Sequence, residues 1–342
     1  MASAAIQATT ERNQALLRFA FTVTTTFVAS EYFGWYPTFL PPILAATLLG
    51  SLPTALPFKG GVVLIVVQCA GALAAFVLSS LLRETPIVLF GSIGLIVFLS
   101  FSVIAQGRAF LPLLLVLICF STIPIVVLTT PDQAGALAIA LARGMIIAVA
   151  VIWIAQVIWP KVATKEPAGA ALRAVEPVRL ALAGSAIVLP LMLVYLMYGL
   201  TDALPVLITT IVLVVNFDPS RGATQGLAMV LANFLGGMVA VACHALVEVA
   251  PSLFTLSFAT FGLALVFARR IEEGGPAGSL ALITFNQSMI ILSLGLLPGP
   301  SSPGIWSTRL LQFGIAYAFA VGMMYLLLPS RPATPALQPS AK

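Results

Sequence analysis

Two arginines stand inside apolar stretches of the sequence, where a cation is rare. Arg143 lies in the run 135–159, and Arg309 lies in the run 306–328. A guanidinium stays charged at any working pH and offers a carboxylate two parallel hydrogen bonds. Both residues are therefore candidates for attracting an anionic substrate. The alternative is that each side chain only extends toward water from a nonpolar surrounding.

Amide side chains form a second set of candidates, and the set repeats after 165 positions. Gln68 and Asn233 are separated by that distance, and each precedes a glycine by three residues. Asn286 and Gln287 align in the same way with the polar pair 121–122. A small residue one turn beyond an amide lets a neighbouring helix or a ligand approach closely. These amides are candidates for substrate contact, and hydrogen bonding between helices remains the alternative.

Three carboxylates are candidates for carrying a coupling proton, namely Glu31, Asp132 and Asp202, and nothing in the sequence selects among them. His244 and Glu248 are four residues apart, which places them on one face of a helix. They form either a proton-responsive pair or a solvated histidine next to an acid.

Signatures of catalysis are missing from the chain. It contains one histidine, no His/Glu metal motif, no phosphate-binding loop and no nucleophile with a base nearby in sequence. Its three cysteines lie far apart in apolar runs, which predicts neither a disulfide nor a metal site. We therefore expect no catalytic residue, metal or cofactor. An intramembrane lipid- or acyl-modifying enzyme would need an acid/base pair that the sequence does not offer.

The composition determines what kind of protein must position these residues. Of its residues 60% are hydrophobic and 8% charged, and the mean hydropathy is +1.10. These values are typical of integral membrane proteins and far from those of soluble domains. Twelve apolar runs are long enough to be read as membrane-spanning helices: 15–36, 38–56, 60–82, 86–105, 109–130, 135–159, 179–200, 203–217, 222–247, 251–268, 278–297 and 306–328. Lipid is the expected surrounding of these helices. The net charge of +5 is interpreted as the excess of basic residues that orients a membrane protein, and not as a surface that binds nucleic acid.

The distribution of basic residues predicts the orientation. If residues 1–14 are a cytoplasmic tail, thirteen of the sixteen Lys and Arg residues fall on the cytoplasmic side. The segment 161–178 then becomes a cytoplasmic linker, and the proline-rich tail 330–342 is cytoplasmic as well. We expect a multi-pass membrane protein with both termini in the cytoplasm.

The two halves of the chain resemble each other. A shift of 165 positions aligns Gly34 with Gly199 and Gly71 with Gly236. Each half contains an even number of spans, so both enter the membrane from the same side. The predicted fold is an all-α membrane protein of about twelve helices in two parallel six-helix repeats, 15–160 and 179–329, with the substrate path between them.

Two spans in corresponding places are short and contain proline. The span 38–56 includes Pro41 and Pro42, and the span 203–217 includes Pro205. Matched interrupted segments of this kind indicate the binding site of a transporter. Helix kinks that serve packing alone are the alternative.

A basic residue and glycines follow each interrupted span: Lys59-Gly60-Gly61 in the first half and Arg221-Gly222-Ala223-Thr224 in the second. The halves end in Ile158-Trp159-Pro160 and Leu327-Leu328-Pro329. With the six-plus-six repeat, these features resemble the fusaric-acid-resistance and aromatic-acid-exporter superfamily over residues 15–329. Lys59, Arg221, Gly222 and Thr224 would then form a cytoplasmic gate or a helix-start motif.

The resemblance implies export of small aromatic or amphipathic carboxylic acids across a bacterial inner membrane. Because the sequence has no ATP-binding loop, we expect the energy to come from an ion gradient or from the gradient of the substrate itself. The resemblance also implies a periplasmic adaptor protein and a homo-oligomer. Exporters of this type carry a cytoplasmic domain between the halves, which is reduced here to the short linker and is typical of a short bacterial branch. A passive anion channel is the alternative, because plant malate channels are distant relatives of the superfamily. A further alternative is that the protein is a purely structural partner of other membrane proteins.

Overall fold

The computed structural model describes residues 2–52, 55–107, 110–160, 177–200, 204–215 and 222–296, with scattered positions from 311 to 327. Over these ranges the protein is all-α and contains no strand. The helices are α1 (Ala2–Tyr32), α2 (Leu40–Ser51), α3 (Phe58–Leu81), α4 (Pro86–Ala105), α5 (Phe110–Thr129), α6 (Ala134–Ile158), α7 (Pro177–Tyr198), α8 (Leu204–Val215), α9 (Gly222–Val249), α10 (Leu253–Glu273) and α11 (Gly275–Gly295). A 3-10 turn, Pro131–Gln133, precedes α6.

Eight of these helices are long and apolar enough to cross a membrane, namely α3 to α7 and α9 to α11. The protein is therefore an all-α protein whose helices fit a multi-pass membrane protein. Helix α2 has 12 residues, which is short for a span. Helix α8 is described over 12 residues, and the residues on both sides of it lie outside the described set. The predicted twelfth span, 306–328, lies largely outside the described residues.

Helix α1 differs from the predicted first span, 15–36, in its start. It begins at Ala2, so residues that were predicted as a tail are its first turns. The helix is also polar for a buried element. Thr22, Thr26 and Ser30 are buried, and each hydroxyl donates to the carbonyl four residues earlier. These bonds satisfy the hydroxyls inside the bundle.

Helix α5 lies at the centre of the bundle, because 72% of its apolar stretch is buried, against 28% for α4 and for α10. It packs against α3, α4 and α8, and α11 packs against α9, α10 and α2. Helix α1 packs against α10 and helix α4 against α7, so each half of the chain contacts the other.

Contacts between helix ends define two ends of the bundle. At the first, called here the Arg18 end, the guanidinium of Arg18 donates to the carbonyl of Trp159, which caps α6. At the second, called the Arg143 end, the loop between α1 and α2 meets the early part of α6 and the last turn of α11. About 20 Å separates Arg18 from Glu31 along α1 at 1.5 Å per residue.

Candidate functional site

The loop that joins α1 to α2 forms the polar part of the Arg143 end. It begins at Gly34, whose φ of +61° belongs to the left-handed region that glycine adopts without strain. The amide of Trp35 donates to the carbonyl of Ser30 at 2.8 Å, which closes the helix end. The glycine and this hydrogen bond together fix the direction in which the chain continues after α1.

Arg143 holds this loop from α6. Its Nη2 donates to the carbonyl oxygen of Tyr36 at 3.0 Å, and its guanidinium carbon lies 5.5 Å from the centre of the Trp35 ring. Phe33 stacks on Trp35 at 4.7 Å between ring centres. A cation over an aromatic face is attracted by the ring. The carbonyl bond uses one of the five N–H donors of a guanidinium, and Arg143 is partly exposed.

A chain of hydrogen bonds joins the two halves at the same end. The hydroxyl of Thr38 donates to the Oε1 of Glu31 and also contacts the hydroxyl of Ser293 in α11. Thr38 and Ser293 are buried, and Glu31 is partly buried. The carboxylate of Glu31, at the end of α1, is thus connected through Thr38 of the α1–α2 loop to Ser293 of α11, which lies 255 residues after Thr38.

The predicted amides lie at packed helix interfaces. The Nε2 of Gln68 donates to the sulfur of Cys119 at 3.4 Å, and its buried Oε1 has no partner among the described residues. The Nδ2 of Asn286 donates to the hydroxyl of Thr47 at 3.3 Å, which connects α11 to α2. Asn233 is buried on α9. Gln287 is buried on α11, where its Cβ faces Gly236.

The predicted broken helices are short but regular. Pro41 and Pro42 are buried in the first turn of α2, where proline removes no helical hydrogen bond. Pro205 is the second residue of α8. The unusual feature of the first segment is the length of α2, 12 residues, and not a break within the helix, whereas the residues on both sides of α8 lie outside the described set.

The other predicted residues lie away from the Arg143 end or outside the residues whose side chains the structure describes. Asp132 is exposed in the 3-10 turn, and Lys59 is exposed in the first turn of α3. Gly222 and Thr224 belong to the start of α9, with side-chain surroundings outside the described set. Arg221, Asp202 and Arg309 lie outside the described residues. Of the two predicted proton carriers that the structure describes, Asp132 is exposed and Glu31 takes part in a partly buried polar contact.

His244 and Glu248 share a face of α9, with the His244 Nε2 3.9 Å from the Glu248 Oε1. Both ring nitrogens of His244 are buried, and neither has a hydrogen-bond partner among the residues described. The ring packs against Gly295, because a Cβ built on that glycine would lie 2.8 Å from the His244 Cδ2. The sequence did not predict the contact between His244 and Gly295, because a single histidine near a helix end matches no known motif.

Sequence reasoning missed two residues of the Arg143 end and one at the centre of the bundle. Thr38 and Ser293 are ordinary hydroxyl residues in apolar runs, so no pattern distinguishes them. Pro124 lies inside α5, three residues after Ser121, where it removes a helical donor from the buried centre. Pro124 could have been noticed in the sequence, because a proline within an apolar run indicates an interrupted helical hydrogen bond.

Comparison with known families gives one match. Residues 15–155 match the model of a family described as a protein of unknown function (DUF2955). That description names no activity, and the matched region corresponds to the predicted first repeat, 15–160. No curated protein matches the chain. No solved structure matches it either.

Proposed function

We propose that the protein exports small aromatic or amphipathic carboxylic acids across a bacterial inner membrane, driven by a proton gradient. The observation that carries the proposal is the chain of hydrogen bonds from Glu31 of α1 through Thr38 of the α1–α2 loop to Ser293 of α11. Ionisable residues inside a membrane bundle are costly, and they mark ion paths and proton relays. Protonation of Glu31 would change the charge of a contact that connects the two halves of the chain.

Arg143 supplies the complementary part of the proposal. It extends from α6 to the loop that follows Glu31, where it contacts Trp35, on which Phe33 stacks. A guanidinium binds the carboxylate of a ligand, and aromatic rings accept its apolar body. The Arg143 end thus combines features that suit an aromatic acid.

Several observations support the proposal of two six-helix repeats. Gly34 and Gly199 both have a φ of +61°, and each is followed by an amide that donates five residues back, Trp35 to Ser30 and Leu200 to Tyr195. These two hydrogen bonds are related by the same 165-position shift.

The shift of 165 positions matches α1 to α7, α2 to α8, α3 to α9, α4 to α10 and α5 to α11. Contacts between helices are repeated under this matching. The pair α3–α5 corresponds to α9–α11, α4–α7 to α10–α1, and α5–α8 to α11–α2. Gly71 faces Cys119, and Gly236 faces Thr284, again with a shift of 165. The family match to residues 15–155 also supports a unit of about one half.

The assembled exporter in this proposal is a homo-oligomer with cytoplasmic termini and a periplasmic adaptor, as the resemblance implies. Cross-linking in native membranes tests the oligomer. Purification of the tagged, cross-linked protein followed by mass spectrometry tests the adaptor, and a periplasmic protein enriched over a control membrane protein is the expected result.

Flux into everted membrane vesicles tests the function. Vesicles that contain the protein should accumulate 1-naphthoate or another aromatic acid when respiration acidifies their interior, and an uncoupler should abolish the accumulation. Vesicles without the protein give the background. Absence of protein-dependent flux for every acid in an aromatic and aliphatic panel would contradict the proposal.

The same assay separates the exporter from a passive anion channel. The permanent charge of Arg143 favours the channel, because an anion path that depends on it needs no proton. A channel would equilibrate the acid according to its own gradient and the membrane potential, and the imposed pH gradient would not cause accumulation.

A further inference from the structure

His244, the one histidine of the chain, lies at the Arg143 end and has no role in the proposed function so far. Its ring packs against Gly295, the last residue of α11, because a Cβ built there would lie 2.8 Å from the Cδ2 and 3.3 Å from the Nε2 of His244. Ser293 belongs to the same turn of α11, and its hydroxyl contacts Thr38, which donates to Glu31. The ring therefore lies against the turn that carries the polar contact of the Arg143 end.

The surroundings of His244 do not satisfy a neutral imidazole. A neutral ring has one N–H that donates and one nitrogen that accepts, and both need partners when they are buried. Although 24% of the side chain is exposed, both nitrogens are covered, and neither has a hydrogen-bond partner among the described residues. Covering these unpaired groups destabilises the neutral form of the ring in this position.

A protonated ring finds two partners in the same place. An imidazolium has two N–H donors and a positive charge. The Oε1 of Glu248 lies 3.9 Å from the Nε2 of His244, and the Glu248 side chain is 62% exposed, so it has room to move within hydrogen-bond distance. The end of α11 lies on the other side, and the C-terminus of a helix attracts a cation through the helix dipole.

Glu248 is the charged residue that faces the ring from the helices packed around it, within the described part of the chain. Helix α9 packs mainly against α11 and α10. Helix α11 contains no charged residue from Gly275 to Gly295. The charged residues of α10 lie in its last turns, at the Arg18 end, where Glu273 bonds Arg12 of α1: Arg269, Arg270, Glu272 and Glu273. The remaining acid in this contact, Glu31, accepts from Thr38.

We infer that His244 is a proton-operated clamp on the last turn of α11. The protonated ring pairs with Glu248 and with the end of α11, and it thereby holds Ser293 against Thr38. The neutral ring releases this turn. The role of the clamp rests on the proposed function, in which the contact of Glu31 with Thr38 rearranges during transport. Acid at the Arg143 end then slows the exporter.

Thermal unfolding in detergent at about pH 5.5 and about pH 8 tests the clamp without any transport, because a histidine ordinarily changes its charge between these values. His244→Gln removes the one histidine. We expect the Tm of the wild type to exceed that of this variant by about 2–5 °C more at the acidic pH than at the alkaline pH. An equal difference at the two pH values would overturn the inference.

Glu248→Gln provides a second test that does not depend on the folding of the His244 variant, since Glu248 is exposed. It should lower the Tm by about 1–3 °C at the acidic pH and leave it unchanged at the alkaline pH. Glu84→Gln, which changes an exposed acid in the loop between α3 and α4, is the matched control and should have no effect at either pH. The same loss at both pH values, or the same loss in the control, would refute the pairing of Glu248 with a protonated ring.

Downhill exchange of 1-naphthoate in proteoliposomes, with equal pH on both sides, tests the effect on transport. His244→Gln should exchange about two- to fivefold faster than the wild type at the acidic pH and at the same rate at the alkaline pH. A ratio that does not change with pH would contradict the regulatory role.

The two failures are distinguishable. A pH-dependent Tm difference in a protein that transports no acid would keep the clamp and remove the exporter function. Transport by a protein whose Tm difference and exchange ratio ignore pH would keep the function and remove the clamp.

Discussion

Replacement of Gly236 by alanine tests the close packing of α9 on α11. A Cβ at this position would lie 2.7 Å from the carbonyl oxygen of Thr284 and 2.9 Å from the Cβ of Gln287. At the repeat-related Gly71, the nearest atom is the sulfur of Cys119 at 3.7 Å, an ordinary contact. Overpacking costs about 1–3 kcal/mol, and alanine gains about 0.5–1 kcal/mol over glycine within a helix. Because the gain is common to both, we expect Gly236→Ala to be less stable than Gly71→Ala by about 1–3 kcal/mol.

Thermal unfolding of the purified protein in detergent measures this difference. The Tm of Gly236→Ala should fall below that of the wild type, while the Tm of Gly71→Ala should equal or exceed it. A difference of about 2–4 °C for each kcal/mol is the expected scale. Equal Tm values for the two variants would refute the close approach of α9 to α11.

Further predictions concern function, packing and orientation. Arg143→Lys should keep part of the vesicle flux and Arg143→Gln should lose most of it, with the exposed Arg83→Gln as the control; an unchanged rate in the glutamine variant would leave Arg143 as a loop anchor only. Thr47→Val should lower stability by about 0.6–1.7 kcal/mol through loss of the Asn286 bond, and Thr47→Ser should not; identical unfolding curves would contradict this packing role. Green fluorescent protein fused at residue 170 should fluoresce and alkaline phosphatase there should be inactive, whereas the reverse would refute the cytoplasmic linker.

The fold class was readable from the sequence, because apolar runs of about 20 residues have few physical solutions other than membrane helices. The lengths of the helices were harder to predict. The run 38–56 contains no charged residue and is mostly apolar, yet α2 occupies only Leu40–Ser51. Apolarity predicts burial, but it does not determine where the backbone stops being helical. The polar start of α1 hid a helix in the same way, since hydropathy does not measure helix propensity.

The sequence predicted a residue of the candidate site only when its type was unusual for the surrounding sequence. Arg143 is a cation in an apolar run, so the sequence alone indicated it. The contact between Thr38 and Ser293 depends on a fold that brings together residues 255 positions apart, and each hydroxyl is ordinary by itself. Arg18 was assigned only to the inner surface. Its burial against Trp159 follows from the packing of α1 on α6, which no local pattern encodes.

Proton-coupled accumulation in proteoliposomes tests the central claim most directly, through Glu31. Purified protein with an imposed proton gradient should concentrate radiolabelled 1-naphthoate. Glu31→Gln should abolish that uphill accumulation and keep downhill exchange, because it removes the titrating group and retains a carbonyl that accepts from Thr38. Glu11→Gln, an exposed acid on the same helix, should behave like the wild type. Full uphill accumulation by the Glu31→Gln variant would contradict the account.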